Sequence, residues 1–314
     1  MLGEVKIAIG IITCMRPLGL QKLLESLAGQ AESVNIPCRL TAIVVDNDMT
    51  GKNREIVEDV RRRTGLDIIF AEESERGIPS ARNASVRLAL AHDFDAMVFV
   101  DDDEYTPAGW LAALVEQWRS GDADIVTGPV KGILPLESPS WAYKSGAYNK
   151  IPPYVAGQYL EKAFTNNTLA SRQALEIMGA SFSAKFQQSG SSDLHYFREA
   201  IRKGLKIAWA PTAIIHENVP LSRVRIGWVI RRGFRTGAGD TMSRLLIQPG
   251  FRTVMHIIFI SMIRIMAGVT QLFLSPFGRW RYVIVGIKRI SSGLGGFLGL
   301  FGVTYKEYKI IHGS

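Results

Sequence analysis

The strongest constraint on this chain is a recurring alternation: short unbroken apolar runs, each followed by a stretch with helical spacing. Residues 5–12 (VKIAIGII), 40–46 (LTAIVVD), 67–71 (DIIFA) and 96–101 (AMVFVD) are the apolar runs. Continuous rather than alternating apolar character predicts strands covered on both faces. Between them, Pro17 to Gly29 carries Leu20, Leu23, Leu24 and Leu27 at helical spacing. A second helix runs through Arg63, and a third spans Ser80 to Ala91. Strands alternating with helices predict an α/β fold around a parallel sheet with right-handed crossovers. Ligands of such sheets bind beyond the carboxyl ends of the strands, so the polar residues that follow each strand carry the functional information.

Strand one leads into Thr13 and Arg16, strand two ends in Asp46, and strand four ends in Asp101, Asp102 and Asp103. Three adjacent acids repel one another. A solvated acidic turn is the plain explanation; the chemical one is a hard-cation site, since Mg²⁺ or Mn²⁺ takes one or two carboxylates plus substrate phosphates. Further on, Asp193 follows Ser191 and Ser192, either of which suits a helix N-cap, and Gly204 suits the helix stop. An acid in a first helical turn is expected to be kept ionised by the helix dipole. Capping alone would also account for Asp193.

Five segments in order carry a resemblance: IGIITCMRP (9–17), IVVDND (43–48), ERGIPSARNASV (75–86), FVDDDEYTP (99–107) and SSDLHYFREAIRKGLKIAWAP (191–211). Over residues 5 to about 240 the chain resembles the family 2 glycosyltransferases with the GT-A fold, and most resembles bacterial exopolysaccharide enzymes of the succinoglycan-biosynthesis type. The resemblance implies a metal-dependent inverting transfer from a nucleotide-diphosphate sugar, with UDP the expected nucleotide. It implies that Thr13 and Arg16 border the nucleotide, that Asp46 accepts a base N–H, and that Arg82 lies near base or diphosphate. Asp103 or Asp102 would hold Mn²⁺ or Mg²⁺, and Asp101 would lie near the ribose. Asp193 would be the catalytic base. Asn166 and Asn167 match a loop near the donor sugar, and His216 a histidine near metal or diphosphate. One position departs: the family has Glu-Asp where this chain has Ser192-Asp193, which leaves acceptor contacts at Ser192 open.

The carboxyl-terminal third has its own character. From Pro220 onward there are 14 Lys/Arg and two acids, whereas the rest of the chain carries 23 Lys/Arg and 27 acids. A basic face suits an anionic partner, and the apolar stretches within it favour lipid over nucleic acid, for which no recognition motif is present. Arg231, Arg232 and Arg235, beside Trp228, are placed to meet diphosphate or lipid phosphates. Residues 254–274 are long enough to span a bilayer of ~30 Å, yet His256, Ser261, Arg264, Gly268, Thr270 and Gln271 share one half of the helix, which suits a helix lying in the interface. Residues 282–303 contain Lys288 and Arg289, then Gly293, Gly296, Gly299 and Gly302, a spacing that permits close helix packing. A shallow hairpin turning near Pro276 is expected.

The predicted organisation is a GT-A catalytic domain over 1–220 and a basic, amphipathic, membrane-associating helical region over 221–314. The opening residues suit no signal peptide, and Cys14 and Cys38 form no disulfide or metal pattern, so the expected place is the cytoplasmic face of the inner membrane, peripheral or monotopic. A lipid-linked saccharide is the expected acceptor. A sugar-nucleotide nucleotidyltransferase would share fold and metal logic, but Thr13 to Gly19 lacks its Gly-rich basic loop. A non-catalytic sugar-binding module is disfavoured by Asp103 and Asp193.

Overall fold

Strand β1 (Val5–Thr13) is buried along nearly its whole length, and its alternate side chains feed two cores. Ile7, Ile9 and Ile11 point to one face, where they meet Leu20, Leu23, Leu24 and Leu27 of α1 (Pro17–Leu27). Ala8 points to the other, against Ile43, Val45, Phe99 and the small residues of α3. Each large aliphatic buried this way contributes about 1.5–3 kcal/mol, which is why the apolar runs admit no polar interruption. The computed structural model describes residues 3–187, 189–275 and 280–304.

The predicted alternation continues through β2 (Cys38–Asp46), α2 (Lys52–Thr64), β3 (Asp67–Glu72), α3 (Ile78–Ala91) and β4 (Ala96–Asp101). Then follow β5 (Glu104–Tyr105), α4 (Trp110–Ser120), β6 (Ile125–Thr127), β7 (Val130–Ile133), α5 (Ser140–Ser145), β8 (Asn149–Lys150), β9 (Thr168–Ser171), α6 (Arg172–Met178), α7 (Ser192–Arg202), β10 (Ile207–Trp209) and β11 (Ile215–Asn218). The large sheet has the order β10-β6-β9-β4-β1-β2-β3, parallel except for β9, which runs antiparallel to both neighbours. A smaller sheet, β5-β11-β7-β8, sits beyond it. The strand order reverses between β1 and β4, so a crevice opens past their carboxyl ends. In register there, Thr13 pairs with Asp46 and Ile12 with Asp101.

Three long helices close the chain: α8 (Ile226–Ile247), α9 (Phe251–Phe273) and α10 (Trp280–Gly299). Their packing depends on glycine. A Cβ at Gly237 would overlap the Ser292 carbonyl and lie 2.7 Å from Gly296 N, and one at Gly293 would lie 2.7 Å from the Ser261 carbonyl. Side chains add hydrogen bonds between helices, from Thr241 Oγ1 to Gly296 O (2.8 Å) and from Ser291 Oγ to Ile230 O (2.6 Å).

The expected amphipathicity of α9 is present, with Ser261, Arg264 and Gly268 of its polar half turned inward and His256 and Thr270 exposed. Ser261 and Gly268 are buried and Arg264 reaches Asp240, while Phe251, Met255, Phe259, Met262, Met266 and Phe273 are exposed. Among the described residues, this is the one helix long and apolar enough to cross a membrane, with a mean hydropathy of 1.7 and 17% of its apolar window buried. Pro276, the expected turn of the hairpin, lies outside the described residues. The last strand, β11, ends at Asn218, and α8 rests directly on α7.

Candidate active site

The acidic turn between β4 and β5 stands where the large sheet hands over to the small one. Asp102 is sunk to 6% exposure; Thr13 Oγ1 donates to its Oδ2 at 2.9 Å and Arg16 Nη1 to its Oδ1 at 2.9 Å. Arg16 Nη1 also reaches Asp103 Oδ2 at 3.2 Å. A Cβ at Gly19 would overlap the Asp102 carbonyl, so α1 can approach the turn only as glycine. From the far side Arg223 Nη1 donates to Asp103 Oδ2 (3.2 Å) and to Glu217 Oε1 (3.1 Å). Arg82, on α3, donates to Asp101 Oδ1 at 2.7 Å. Glu104 is buried: its Oε2 accepts the Asp101 N–H at 2.9 Å, and its Oε1 has no partner among the described residues.

Five carboxyl groups here face three guanidiniums. Burial pushes Asp103 up to about 7, with Arg223 opposing and Glu217, Asp102 and Asp101 adding to the rise. Asp102 is likewise raised by burial against the pull of Arg16, and Glu104 well above its ordinary range by burial and by Asp101. With five acids to three guanidiniums, the turn is short of positive charge. The deficit and the all-oxygen donor set fit Mg²⁺ or Mn²⁺. Among the described residues, however, no three acidic, His or Cys side chains form a ready-made metal cage. A cation here would need oxygens from a bound ligand beside any it took from these carboxylates.

The residues expected at the metal differ in their surroundings. Asp102 is committed to Thr13 and Arg16. His216 lies edge-on to Tyr105, with ring centroids 5.0 Å apart and its Nδ1 buried without a partner among the described residues; burial and Lys131 lower its pKa. Glu217, its neighbour on β11, takes the acidic side, and strand alternation turns His216 to the other.

Asp193 opens α7 at the same mouth. Its charged neighbours are Arg82, Asp101 and Arg235, which come from α3, β4 and α8. Burial raises the Asp193 pKa, with Arg82 and the Leu194 N–H opposing the rise. Ser191 occupies the N-cap position with φ 72°, and its hydroxyl makes no capping bond; Asp193 Oδ1 itself accepts the Leu194 N–H at 2.8 Å. The expected stop is present, with Gly204 at φ 90° after Arg202. Ser192, in place of the family's first acid, is 3% exposed.

Asp46 is fully buried. Asn53 Nδ2 and the Asp48 N–H donate to its Oδ1 at 3.0 and 3.1 Å, its Oδ2 has no partner among the described residues, and burial raises its pKa. An orphaned acceptor is what a base N–H requires.

Asn167, expected near the donor sugar, is held inside the protein. It is fully buried at φ 69°, accepts the Trp110 indole N–H at 2.7 Å, and donates to Pro129 O (3.0 Å) and Ala213 O (2.6 Å). Its amide ties the start of β9 to α4 and to the segments leading into β7 and β11, with both N–H groups engaged. Asn166 beside it is half-buried. Arg231 is exposed, while Arg232 stacks over Trp228 at 5.1 Å, and Trp228 in turn stacks on Tyr148. Sequence reading missed Glu104, Glu217 and Arg223. Glu104 was signalled by its place in the acidic motif; Arg223 and Glu217 carry no local signal, because only the return of β11 beside β5 brings them to Asp103.

Residues 8–174 match the model of Glycosyl transferase family 2. The succinoglycan biosynthesis protein ExoM of Rhizobium meliloti is 33% identical over 244 residues, which is 77% of this chain and 75% of that protein. Among solved structures, the mannosyltransferase PcManGT from Pyrobaculum calidifontis, in complex with GDP-Man and Mn²⁺, is similar with a TM-score of 0.57 at 16% identity, over 94% of this chain and 87% of that one. S. aureus TarS 1-349 in complex with UDP gives 0.51 at 14% identity, over 99% and 95%. The likeness to these structures shows the shared GT-A fold. The matched segment is more than half of the chain and runs from within β1 through β4 and its acidic turn, and so the chain belongs to glycosyl transferase family 2.

Proposed function

We propose that the chain transfers a sugar, with inversion, from a nucleotide-diphosphate donor, expected to be a UDP-sugar, to a hydroxyl of a lipid-linked saccharide in exopolysaccharide synthesis. The observation that carries the reading is the convergence of Asp193, Arg82, Asp101 and Arg235 at the crevice beyond β1 and β4. Asp193 takes the proton of the acceptor hydroxyl. The acceptor oxygen then attacks the anomeric carbon as the bond to the diphosphate breaks, and the nucleoside diphosphate leaves. A base whose pKa is raised toward neutrality shares the proton more effectively at working pH. Arg82, Arg16 and Arg223 line the leaving-group side, where fixed cations stabilise developing charge. Asp103 would hold Mn²⁺ or Mg²⁺, which supplies charge neutralisation for the diphosphate when bound. Asp46 Oδ2 serves the base.

The relation to membranes follows from α9. Its outward Phe and Met residues and the basic excess after Pro220 suit an anionic bilayer at the cytoplasmic face, where a lipid-linked acceptor resides. The test is release of nucleoside diphosphate from UDP-glucose, UDP-galactose, UDP-N-acetylglucosamine and GDP-mannose, each with Mn²⁺ or Mg²⁺. Turnover of at least one donor is expected, and Asp193→Asn should lower it by roughly 10² or more while nucleotide affinity holds. Near-parental turnover in that variant assigns the base elsewhere.

A further inference from the structure

The helix that carries Asp193 is gripped by α8 at two points that the chemistry above does not use. At the first, Gly239 lies against Ser191, the residue before α7. A Cβ built on Gly239 would overlap Ser191 Oγ and lie 2.7 Å from Ser191 Cβ. Ser191 has φ 72°, so the turn that aims its side chain at α8 also sets the direction in which α7 departs. At the second, Asp240 is 8% exposed and forms an ion pair with Arg198 of α7, whose Nη1 also donates to the Asp240 carbonyl at 3.2 Å. The same carboxylate receives Arg264 of α9 at 3.1 Å and Arg244 at 3.4 Å. One buried acid thus joins α7, α8 and α9.

We propose that Gly239 and Asp240 are positioning residues for sugar transfer: they hold the first turn of α7, and with it the Asp193 carboxylate, at the distance from the crevice that proton transfer needs. The proposal rests on the reading of Asp193 as the base. Asp193 is two residues from Ser191, so a methyl group at position 239 must displace the turn that carries it. A displacement near 1 Å at a reacting group costs on the order of 10²-fold in rate. Nucleotide affinity should be spared, since Asp46 and Arg16 lie on other elements.

The contact invites a compensating pair of substitutions. Ser191→Gly removes the atoms that a methyl would strike, suits a left-handed backbone and keeps the Asp240–Arg198 tie, so it should lower activity less than Gly239→Ala does. Gly239→Ala should lower kcat for the best donor of the panel by roughly 10- to 100-fold, with KM and the Kd for UDP within about twofold. Adding Ser191→Gly to Gly239→Ala should restore both kcat and the melting temperature. Arg198→Lys, which keeps the charge but not the paired contacts to Asp240, should lower kcat with KM unchanged, and it decides the matter if Gly239→Ala does not fold. Parental kcat in Gly239→Ala or in Arg198→Lys overturns the proposal. So does a loss that Ser191→Gly fails to reverse, because that loss arises elsewhere. Full turnover by Asp193→Asn instead removes the base assignment, a result distinguishable from the 191/239 coupling.

Discussion

Replacing Asn167 by Ala should destabilise the protein far more than it alters nucleotide binding. The side chain makes three hydrogen bonds inside the protein. Of its partners, Pro129 O keeps the Ile215 N–H at 3.1 Å, but Ala213 O and the Trp110 indole N–H have no second partner among the described residues. A buried polar group left unpaired costs about 1–3 kcal/mol, so two cost roughly 2–6. Asn167 also sits at φ 69°, where alanine loses about 1 kcal/mol more. The expected total, roughly 3–7 kcal/mol, is a large part of the 5–15 kcal/mol typical of a folded domain. Urea unfolding followed by tryptophan fluorescence gives the loss, and titration with UDP·Mn²⁺ gives the affinity of what remains folded. Asn167→Gly should recover about 1 kcal/mol by accepting the backbone angle. A loss below about 1 kcal/mol with nucleotide affinity reduced tenfold would refute the reasoning and return Asn167 to the donor site.

Asp103 gives a pH dependence of known sign. Its folded pKa of about 7 lies above the ordinary 3.8, so between those values the folded state keeps a proton that the unfolded chain has released. The stability of the unliganded protein should therefore fall as pH rises through that window, and UDP·Mn²⁺ binding, which needs the carboxylate, should strengthen from pH 6 to 8; Asp103→Asn should flatten the binding profile, and an unchanged slope in that variant argues against the assignment. Asp46→Ala should weaken discrimination among nucleotides by roughly 1–3 kcal/mol through loss of a buried acceptor, and full selectivity in that variant makes Asp46 structural. Vesicles of anionic lipid should pellet the intact chain, with high salt removing only the electrostatic share. Converting the exposed Phe259 and Met266 to Glu should abolish most of what salt leaves, and undiminished pelleting would place the contact elsewhere.

Local pattern determined the first half of this protein. Ile7, Ile9 and Ile11 with their neighbours had to become a strand covered on both faces, and Leu20 to Leu27 a helix on that sheet, because periodicity and burial act over neighbouring residues. The glycines of α10 announced close packing for the same reason. The positions of Asp46, Asp101 and Asp193 at strand ends and a helix start were legible too. What each side chain does there was not. Whether Asp102 faces a cation or Thr13 and Arg16, whether Asn167 meets a sugar or the Trp110 indole, and which half of α9 turns inward all depend on partners brought from distant parts of the chain. The upward push on the Asp193 pKa likewise comes from burial by the surrounding elements, with Arg82 opposing it. Hydrogen-bond pairing, burial and electrostatic balance are properties of the assembled crevice, and they exist only once α8 and β11 have closed against the strand ends.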